Sequence, residues 1–86
     1  MSETGQRVLV VDDETSIRRY LRAALGAQGF SVYEAADGQE ALNAVITGRP
    51  DIIILDLGLP DIDGIEVTRR LREWSQTPII IRVYRK

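Results

Sequence analysis

The sequence contains no cysteine and no histidine among its 86 residues. These absences exclude disulfide bonds, thiolate or imidazole metal ligands, and catalysis by a cysteine or histidine side chain. Any metal ion bound by this chain would therefore have oxygen ligands. No apolar run approaches the roughly 18 residues that a membrane span requires, and the polar N-terminus does not resemble a signal peptide. We therefore expect a cytoplasmic protein that does not associate with membranes.

The composition is that of a globular domain. Hydrophobic residues make up 44% and charged residues 28% of the chain, which is typical of a folded protein. A length of 86 residues predicts a single domain, or part of one. The net charge of −2 argues against direct binding of nucleic acid, because such domains usually carry a basic surface.

Short apolar runs predict four β-strands, at residues 7–12, 30–35, 51–56 and 78–84. Three of these runs are continuous and rich in β-branched residues, which is typical of strands buried on both faces of a parallel sheet. The second strand is weaker and alternates in polarity. Because the strands are separated by amphipathic segments, the order βαβαβαβ predicts an α/β domain with a parallel sheet and right-handed crossovers.

Three helices are predicted between the strands. The first has an apolar stripe and is expected to end near Gly29; its stripe consists of Ile17, Tyr20, Leu21, Ala24 and Leu25. The second begins with a capping box formed by Asp37 and Glu40, and Gly48 and Pro50 end it. The third is capped by Asp63, and its apolar face consists of Val67, Leu71 and Trp74.

Acidic residues follow two of the most apolar strands. Asp12 and Asp13 end the first strand, and Asp56 ends the third. If these strands are neighbours, the three carboxylates converge at the edge of the sheet where ligands of such folds bind. A divalent cation would offset their repulsion, and Mg²⁺ prefers carboxylate, carbonyl and water oxygens. The backbone carbonyl of Gly58, in the loop after Asp56, is a possible further ligand.

A bound Mg²⁺ beside an exposed aspartate indicates phosphoryl chemistry, in which the carboxylate attacks phosphorus. The alternative is that Asp13 only caps the first helix and Asp56 only opens a turn. Either motif alone favours that simpler interpretation, whereas both motifs in the correct order favour a site.

The motif at residues 61–64 (DIDG) suggests two other functions, and both fail. In a calcium-binding loop aligned on Gly64, Leu59 and Arg70 would occupy ligand positions, and neither side chain is a ligand. A phosphatase nucleophile of the haloacid dehalogenase type would end a hydrophobic strand, but Leu59 and Pro60 precede this motif. Asp61 and Asp63 are therefore expected to form a turn and a helix cap.

Three separated motifs resemble the receiver domain of bacterial two-component response regulators, most closely the OmpR/PhoB class and its potassium-transport regulators. They lie at residues 8–14 (VLVVDDE), 36–42 (ADGQEAL) and 50–64 (PDIIILDLGLPDIDG). The resemblance covers residues 7–81 and leaves residues 82–86 as a divergent tail. It implies a flavodoxin-like fold, here a truncated one with four parallel strands in the order 2-1-3-4.

The resemblance also implies a role for each acidic residue. Asp56 would be the phosphoacceptor, Asp13 would bind Mg²⁺ directly, Asp12 would assist, and the Gly58 carbonyl would be a further ligand. A sensor histidine kinase would be the phosphoryl donor. The domain would be a signalling module and not an enzyme in its own right.

The sequence departs from the family near its end. Val83 occupies the position where the family has a serine or threonine, and the family's lysine after the fifth strand has no counterpart. We expect a single incomplete domain over residues 1–86, without the last elements of the family fold and without a DNA-binding domain. The three basic residues of the tail are interpreted as a solvated chain end.

Two consequences of this truncation are expected. The exposed edge of the fourth strand, or an uncovered face of the first helix, predicts a homo-oligomer. The site would either work as a phosphoacceptor or belong to an inactive receiver-like module that only interacts or self-associates. A phosphatase with an aspartate nucleophile is disfavoured, because its second aspartate would stand at position 58, which is Gly58.

Overall fold

The computed structural model describes residues 5–83 and shows strands and helices in strict alternation. The elements are β1 (Arg7–Val11), α1 (Thr15–Gly26), β2 (Ser31–Ala35), α2 (Gly38–Gly48), β3 (Ile52–Asp56), α3 (Gly64–Arg72) and β4 (Ile79–Arg82). The predicted order βαβαβαβ is confirmed. Each strand is slightly shorter than predicted, and position 84 of the predicted fourth strand lies outside the described residues.

The four strands form one parallel sheet in the order β2-β1-β3-β4, as the resemblance implied. The register pairs Val11 of β1 with Ala35 of β2 and with Leu55 of β3. It also pairs Asp56 of β3 with Arg82 of β4. The carboxyl ends of β1, β3 and β4 therefore meet at the same edge of the sheet.

The main core lies between the sheet and helices α2 and α3. Because successive side chains of a strand point to opposite faces, alternate residues of β1 and β3 enter this core. Its buried members are Leu9, Val11, Ala35, Ala41, Val45, Ile53, Leu55, Leu59, Val67 and Leu71.

The opposite face of the sheet has a thinner cover. Val8 and Val10 are buried, yet α1 contributes no fully buried residue. The predicted stripe of α1 is only partly confirmed, since Ile17, Leu21 and Leu25 are half-buried. Tyr20 is 69% exposed, and Ala24 is exposed as well. α1 also ends earlier than predicted, at Gly26, and Gly29 instead forms a turn before β2 with φ of 96°.

The predicted caps of α2 and α3 are present. The Asp37 side chain accepts a hydrogen bond from the Glu40 N–H at 2.8 Å. Glu40 completes a variant of the capping box, since its Oε1 accepts from the N–H of Ala36 at 2.8 Å. The Asp63 side chain likewise accepts from the Glu66 N–H at 2.9 Å.

The predicted apolar face of α3 is wrong at Trp74. The helix ends at Arg72, so that Trp74 lies beyond it and is exposed. The Trp74 N–H donates to the carbonyl of Leu71, three residues back, which is a tightened turn typical of a helix end. Val67 and Leu71 are buried as predicted.

Candidate functional site

The three acidic residues predicted from the sequence lie together. Asp12, Asp13 and Asp56 each offer a carboxylate oxygen, and these oxygens lie within 4.8 Å of one another. Asp12 and Asp56 are buried, whereas Asp13 is exposed. The cluster forms because β1 and β3 are parallel neighbours in register, so that the residues that follow their apolar cores emerge side by side.

Asp12 is held in place by the backbone of β2 and by the start of α1. Its N–H donates to the carbonyl of Ala35 at 3.1 Å, and its Oδ1 accepts from the Glu14 N–H at 2.9 Å. Arg18 of α1 donates through Nη1 to the Asp12 carbonyl at 2.8 Å. The alternative interpretation, in which Asp13 caps the first helix, is not what the structure shows, since the N-cap is Glu14 without a side-chain bond.

Asp56 is 5% exposed, and its Oδ1 has no hydrogen-bond partner within residues 5–83. Buried polar atoms nearly always have a partner, and an ionised carboxylate is costly to bury without one. An unpartnered oxygen beside two further carboxylates fits an oxygen-liganded divalent cation. The donor set of the cluster is therefore compatible with Mg²⁺.

The loop after Asp56 is fixed against α3 by a close backbone approach. The Gly64 N–H donates to the Leu57 carbonyl at 2.9 Å. A Cβ atom at Gly64 would lie only 2.8 Å from the Leu57 Cα, so the loop leaves no room for a side chain there. This packing places Gly58 on the wall of a cavity of about 500 Å³, which is lined by Asp12, Asp13, Glu14, Asp56, Leu57, Gly58, Arg82 and Val83.

Arg82 is a component of the site that the sequence analysis missed. It is the last residue of β4, and its Nη2 donates to Asp12 Oδ2 in a partly buried ion pair. This hydrogen bond raises the pKa of the guanidinium, and the negative charges of Asp12, Asp56 and Glu14 act in the same direction, while burial opposes them.

The interpretation of Arg82 as part of a solvated chain end is therefore wrong. A signal was available, since Arg82 follows the apolar run of β4 as directly as Asp56 follows that of β3. The two further basic residues of the predicted tail, at positions 85 and 86, lie outside the described residues. Val83 lines the cavity at the position where the resemblance implies a hydroxyl group, and it is exposed.

The second acidic motif is structural. The Asp61 carboxylate accepts from the N–H groups of Gly38 and Gln39 at 2.7 and 2.9 Å, so that it caps α2 from a distant loop. The bond from Gly38 is the main cause of a lowered pKa at Asp61. Asp63 caps α3, as expected.

A doubly wound parallel sheet with an acidic cluster at its carboxyl edge defines a flavodoxin-like α/β domain. Comparison with protein families adds that residues 8–85 match the response regulator receiver domain. The chain therefore belongs to the receiver domain family. Receiver domains are signalling domains of two-component systems, and the curated relatives of this chain are transcriptional regulators of the OmpR/PhoB class.

One curated relative is the KDP operon transcriptional regulatory protein KdpE of Escherichia coli. It is 55% identical over 74 residues, which are 86% of this chain and 33% of KdpE. The chain spans about a third of the length of the curated relatives that it matches. The described residues contain no helix that is long and apolar enough to cross a membrane.

Solved structures agree on the fold. The chemotaxis response regulator CheY4 of Vibrio cholerae is 40% identical with a TM-score of 0.87, over 91% of this chain and 68% of that one. The response regulator TrrA of Thermotoga maritima, determined in complex with Mg(2+)-BeF, is 38% identical with a TM-score of 0.85, over 91% of this chain and 69% of that one.

Proposed function

We propose that this domain is a Mg²⁺-dependent phosphoacceptor whose Asp56 receives a phosphoryl group from a sensor histidine kinase. The observation that carries the proposal is Asp56 itself, which is buried with an unpartnered carboxylate oxygen beside Asp12 and Asp13. The complex of the similar regulator TrrA with Mg(2+)-BeF supports it. A cytoplasmic location follows from the proposed kinase partner.

Four groups would hold the metal ion. Asp13 and Asp56 would supply carboxylate ligands, the Gly58 backbone would supply a carbonyl, and Asp12 would assist. When bound, Mg²⁺ offsets the mutual repulsion of the carboxylates and the negative charge of the incoming phosphoryl oxygens. The contribution of the protein itself is to hold Asp56 in the lining of an open cavity.

The proposed step is a displacement at phosphorus. A carboxylate oxygen of Asp56 forms an O–P bond, the bond between phosphorus and the donor atom breaks, and the bonding electrons leave with the donor. The product is an acyl phosphate, which water later cleaves to restore the carboxylate and release phosphate. Because Asp56 lies at the end of β3, its modification would directly affect the conformation of the adjoining loop and of β4.

We also infer that the domain self-associates through the face that carries α1. The groove between α1 and the sheet is largely apolar and is lined by Gln6, Val8, Leu25, Phe30, Asp51, Ile52, Ile54, Pro78 and Ile80. Ile80 is 52% exposed, and within residues 5–83 β4 pairs only with β3. A second copy would cover apolar surface and an open strand edge together.

Intact-mass measurement tests the phosphoacceptor function. The purified chain is incubated with acetyl phosphate, a small phosphodonor, with Mg²⁺ or with EDTA. We expect one phosphoryl adduct with Mg²⁺ and none with EDTA. The Asp56→Asn variant should form no adduct, whereas Asp51→Asn, which removes an exposed carboxylate from the opposite end of β3, should react like the wild type.

Two results would contradict the proposal. One is an adduct on Asp56→Asn equal to that on the wild type. The other is a folded wild-type protein that forms no adduct, which would leave the inactive interaction module as the better interpretation.

A further inference from the structure

Arg82 places a fixed positive charge within the acidic cluster. Of the eight residues that line the cavity, four are acidic and one, Arg82, is basic. Arg82 is in register with Asp56 on the neighbouring strand, yet its guanidinium reaches past that strand to Asp12. The contact therefore links the carboxyl ends of β4 and β1 across β3.

The contact has a clear electrostatic role. Carboxylates that lie within 4.8 Å of one another repel, and the repulsion is strong where solvent is excluded. The Asp12 side chain is 2% exposed, so little water screens its charge. The guanidinium keeps its charge at any ordinary pH, and its raised pKa strengthens that property.

The contact with Arg82 also takes up the hydrogen-bonding capacity of the Asp12 carboxylate. Its Oδ1 accepts from Glu14 and its Oδ2 accepts from Arg82, so both oxygens already have a donor. A divalent cation held by Asp13 and Asp56 would lie close to the guanidinium and would be repelled by it. The cation and Arg82 therefore compete for the same negative charge.

We propose that Arg82 is a built-in counter-ion of the acidic cluster, and that a divalent cation binds there only in exchange for the contact between Arg82 and Asp12. This inference rests on the metal site of the proposed function. It predicts a domain that is folded without metal and binds Mg²⁺ more weakly than its carboxylates alone would allow.

Mg²⁺ titration by isothermal calorimetry at constant ionic strength tests the exchange. Because the lost bond is a charge-assisted one, Arg82→Gln should bind Mg²⁺ about tenfold more tightly than the wild type. The matched control is Arg72→Gln, which removes the same charge at the far end of α3, where Arg72 donates to the Ser75 carbonyl. Because Arg72 lies away from the cavity, solvent screening should keep the Mg²⁺ affinity of Arg72→Gln within about twofold of the wild-type value.

Thermal unfolding supplies a readout that distinguishes a counter-ion from a merely structural residue. Without metal, Arg82→Gln should have a lower Tm than the wild type, and saturating Mg²⁺ should remove most of the difference. A deficit in Tm that Mg²⁺ leaves unchanged would overturn the proposal.

The outcomes separate this inference from the function on which it rests. Equal Mg²⁺ affinity in the wild type and Arg82→Gln would overturn the exchange and leave the metal site intact. If neither protein binds Mg²⁺, both the metal site and the exchange are wrong.

If Arg82→Gln does not fold, an NMR titration of the wild-type protein still tests the exchange. The NMR signal of the Arg82 Nε–H should shift during the Mg²⁺ titration with the same midpoint as the heat of binding, while that of Arg72 stays in place. An Arg82 signal that does not move would overturn the proposal.

Discussion

Single residues that pack against the end of β3 determine whether Asp56 reaches its position. Gly64 is the clearest case, because a Cβ atom there would lie 2.9 Å from the Asp56 carbonyl oxygen and 2.8 Å from the Leu57 Cα. Both contacts are with backbone, which cannot move aside as a flexible side chain would. The absence of a side chain at Gly64 is thus a requirement of the site as well as of the helix start.

Gly64→Ala should therefore lower the free energy of unfolding by about 1–3 kcal/mol, as overpacking of a tight contact does. Urea denaturation measures the change. Gly26→Ala is the control, because nothing lies within 4 Å of a Cβ atom at the last residue of α1. Equal stability of Gly64→Ala and the wild type would show that the backbone of the loop after Asp56 can shift to accept a Cβ atom at little cost in free energy.

The site could be predicted from the sequence only where the strand pattern determines the position of a residue. Asp12, Asp13 and Asp56 follow apolar strands directly, so the parallel register was enough to bring them together. Arg82 also ends a strand, and this position signalled that it lies at the same edge of the sheet, but its contact with Asp12 depends on how far a flexible side chain reaches across the neighbouring strand. That reach is a tertiary property, and no spacing in the sequence encodes it.

Among the elements, α1 is attached to the sheet differently from α2 and α3. It has no fully buried residue, but Arg18 and Arg22 bind Glu34 of β2 at 3.0 and 2.7 Å. The bond from Arg22 is the main cause of a lowered pKa at Glu34, with Arg18 adding to it and burial opposing it. These ion pairs supplement a modest apolar contact.

Glu34→Gln should destabilise the domain by no more than about 1 kcal/mol, because the pairs are partly solvated. Hydrogen exchange should nevertheless be faster in α1 of Glu34→Gln than in α1 of the wild type, while exchange in α2 should be less affected. Protection of α1 that is unchanged in Glu34→Gln would mean that the apolar contacts alone hold this helix.

On α3, the pairs formed by Glu66 predict a pH dependence. Arg69 and then Arg70 lower the pKa of Glu66 from 4.5 to about 2. A carboxylate with a lowered pKa in the folded state adds stability above its unfolded pKa, and this stability is lost as the pH falls through the folded pKa. The contribution of Glu66 is therefore complete above pH 4.5 and disappears towards pH 2.

The urea midpoint measured from pH 6 to about pH 2 should accordingly fall less steeply in Glu66→Gln than in the wild type. Added salt should reduce the difference, because these side chains are exposed. Parallel pH profiles of the two proteins would show that the ion pairs contribute nothing to stability.

The elements themselves were largely predictable, and their ends less so. Hydrophobic periodicity determined the type and order of all seven, because strands buried on both faces and amphipathic helices have distinct patterns. Side-chain caps such as Asp37 and Asp63 gave the starts of α2 and α3. The end of α3 before Trp74 was not predictable, since an apolar residue at helical spacing continues the pattern whether or not the backbone does.

At the scale of the whole molecule, the two faces of the sheet are unequally covered. Helices α2 and α3 bury one face with a continuous apolar core, whereas the other face leaves Ile80 half exposed beside a groove. This asymmetry motivates the proposed self-association.

Sedimentation velocity over a range of protein concentrations should show reversible association of the wild type. Ile80→Lys should weaken it, because the charge would have to be buried at the contact. Ile46→Lys is the matched control, since Ile46 is also an exposed isoleucine but lies on α2. A wild type that remains monomeric at the highest concentration would contradict the proposal.

The central claim is that Asp56 carries the phosphoryl group, and localisation of the modified residue tests it most directly. Borohydride reduces an acyl phosphate on aspartate to homoserine, which peptide mass spectrometry then locates in the chain. After incubation with acetyl phosphate and Mg²⁺, we predict homoserine at position 56 and unmodified aspartate at positions 12 and 13. Homoserine at either of those positions, or a phosphoryl group retained elsewhere, would contradict this account of the site.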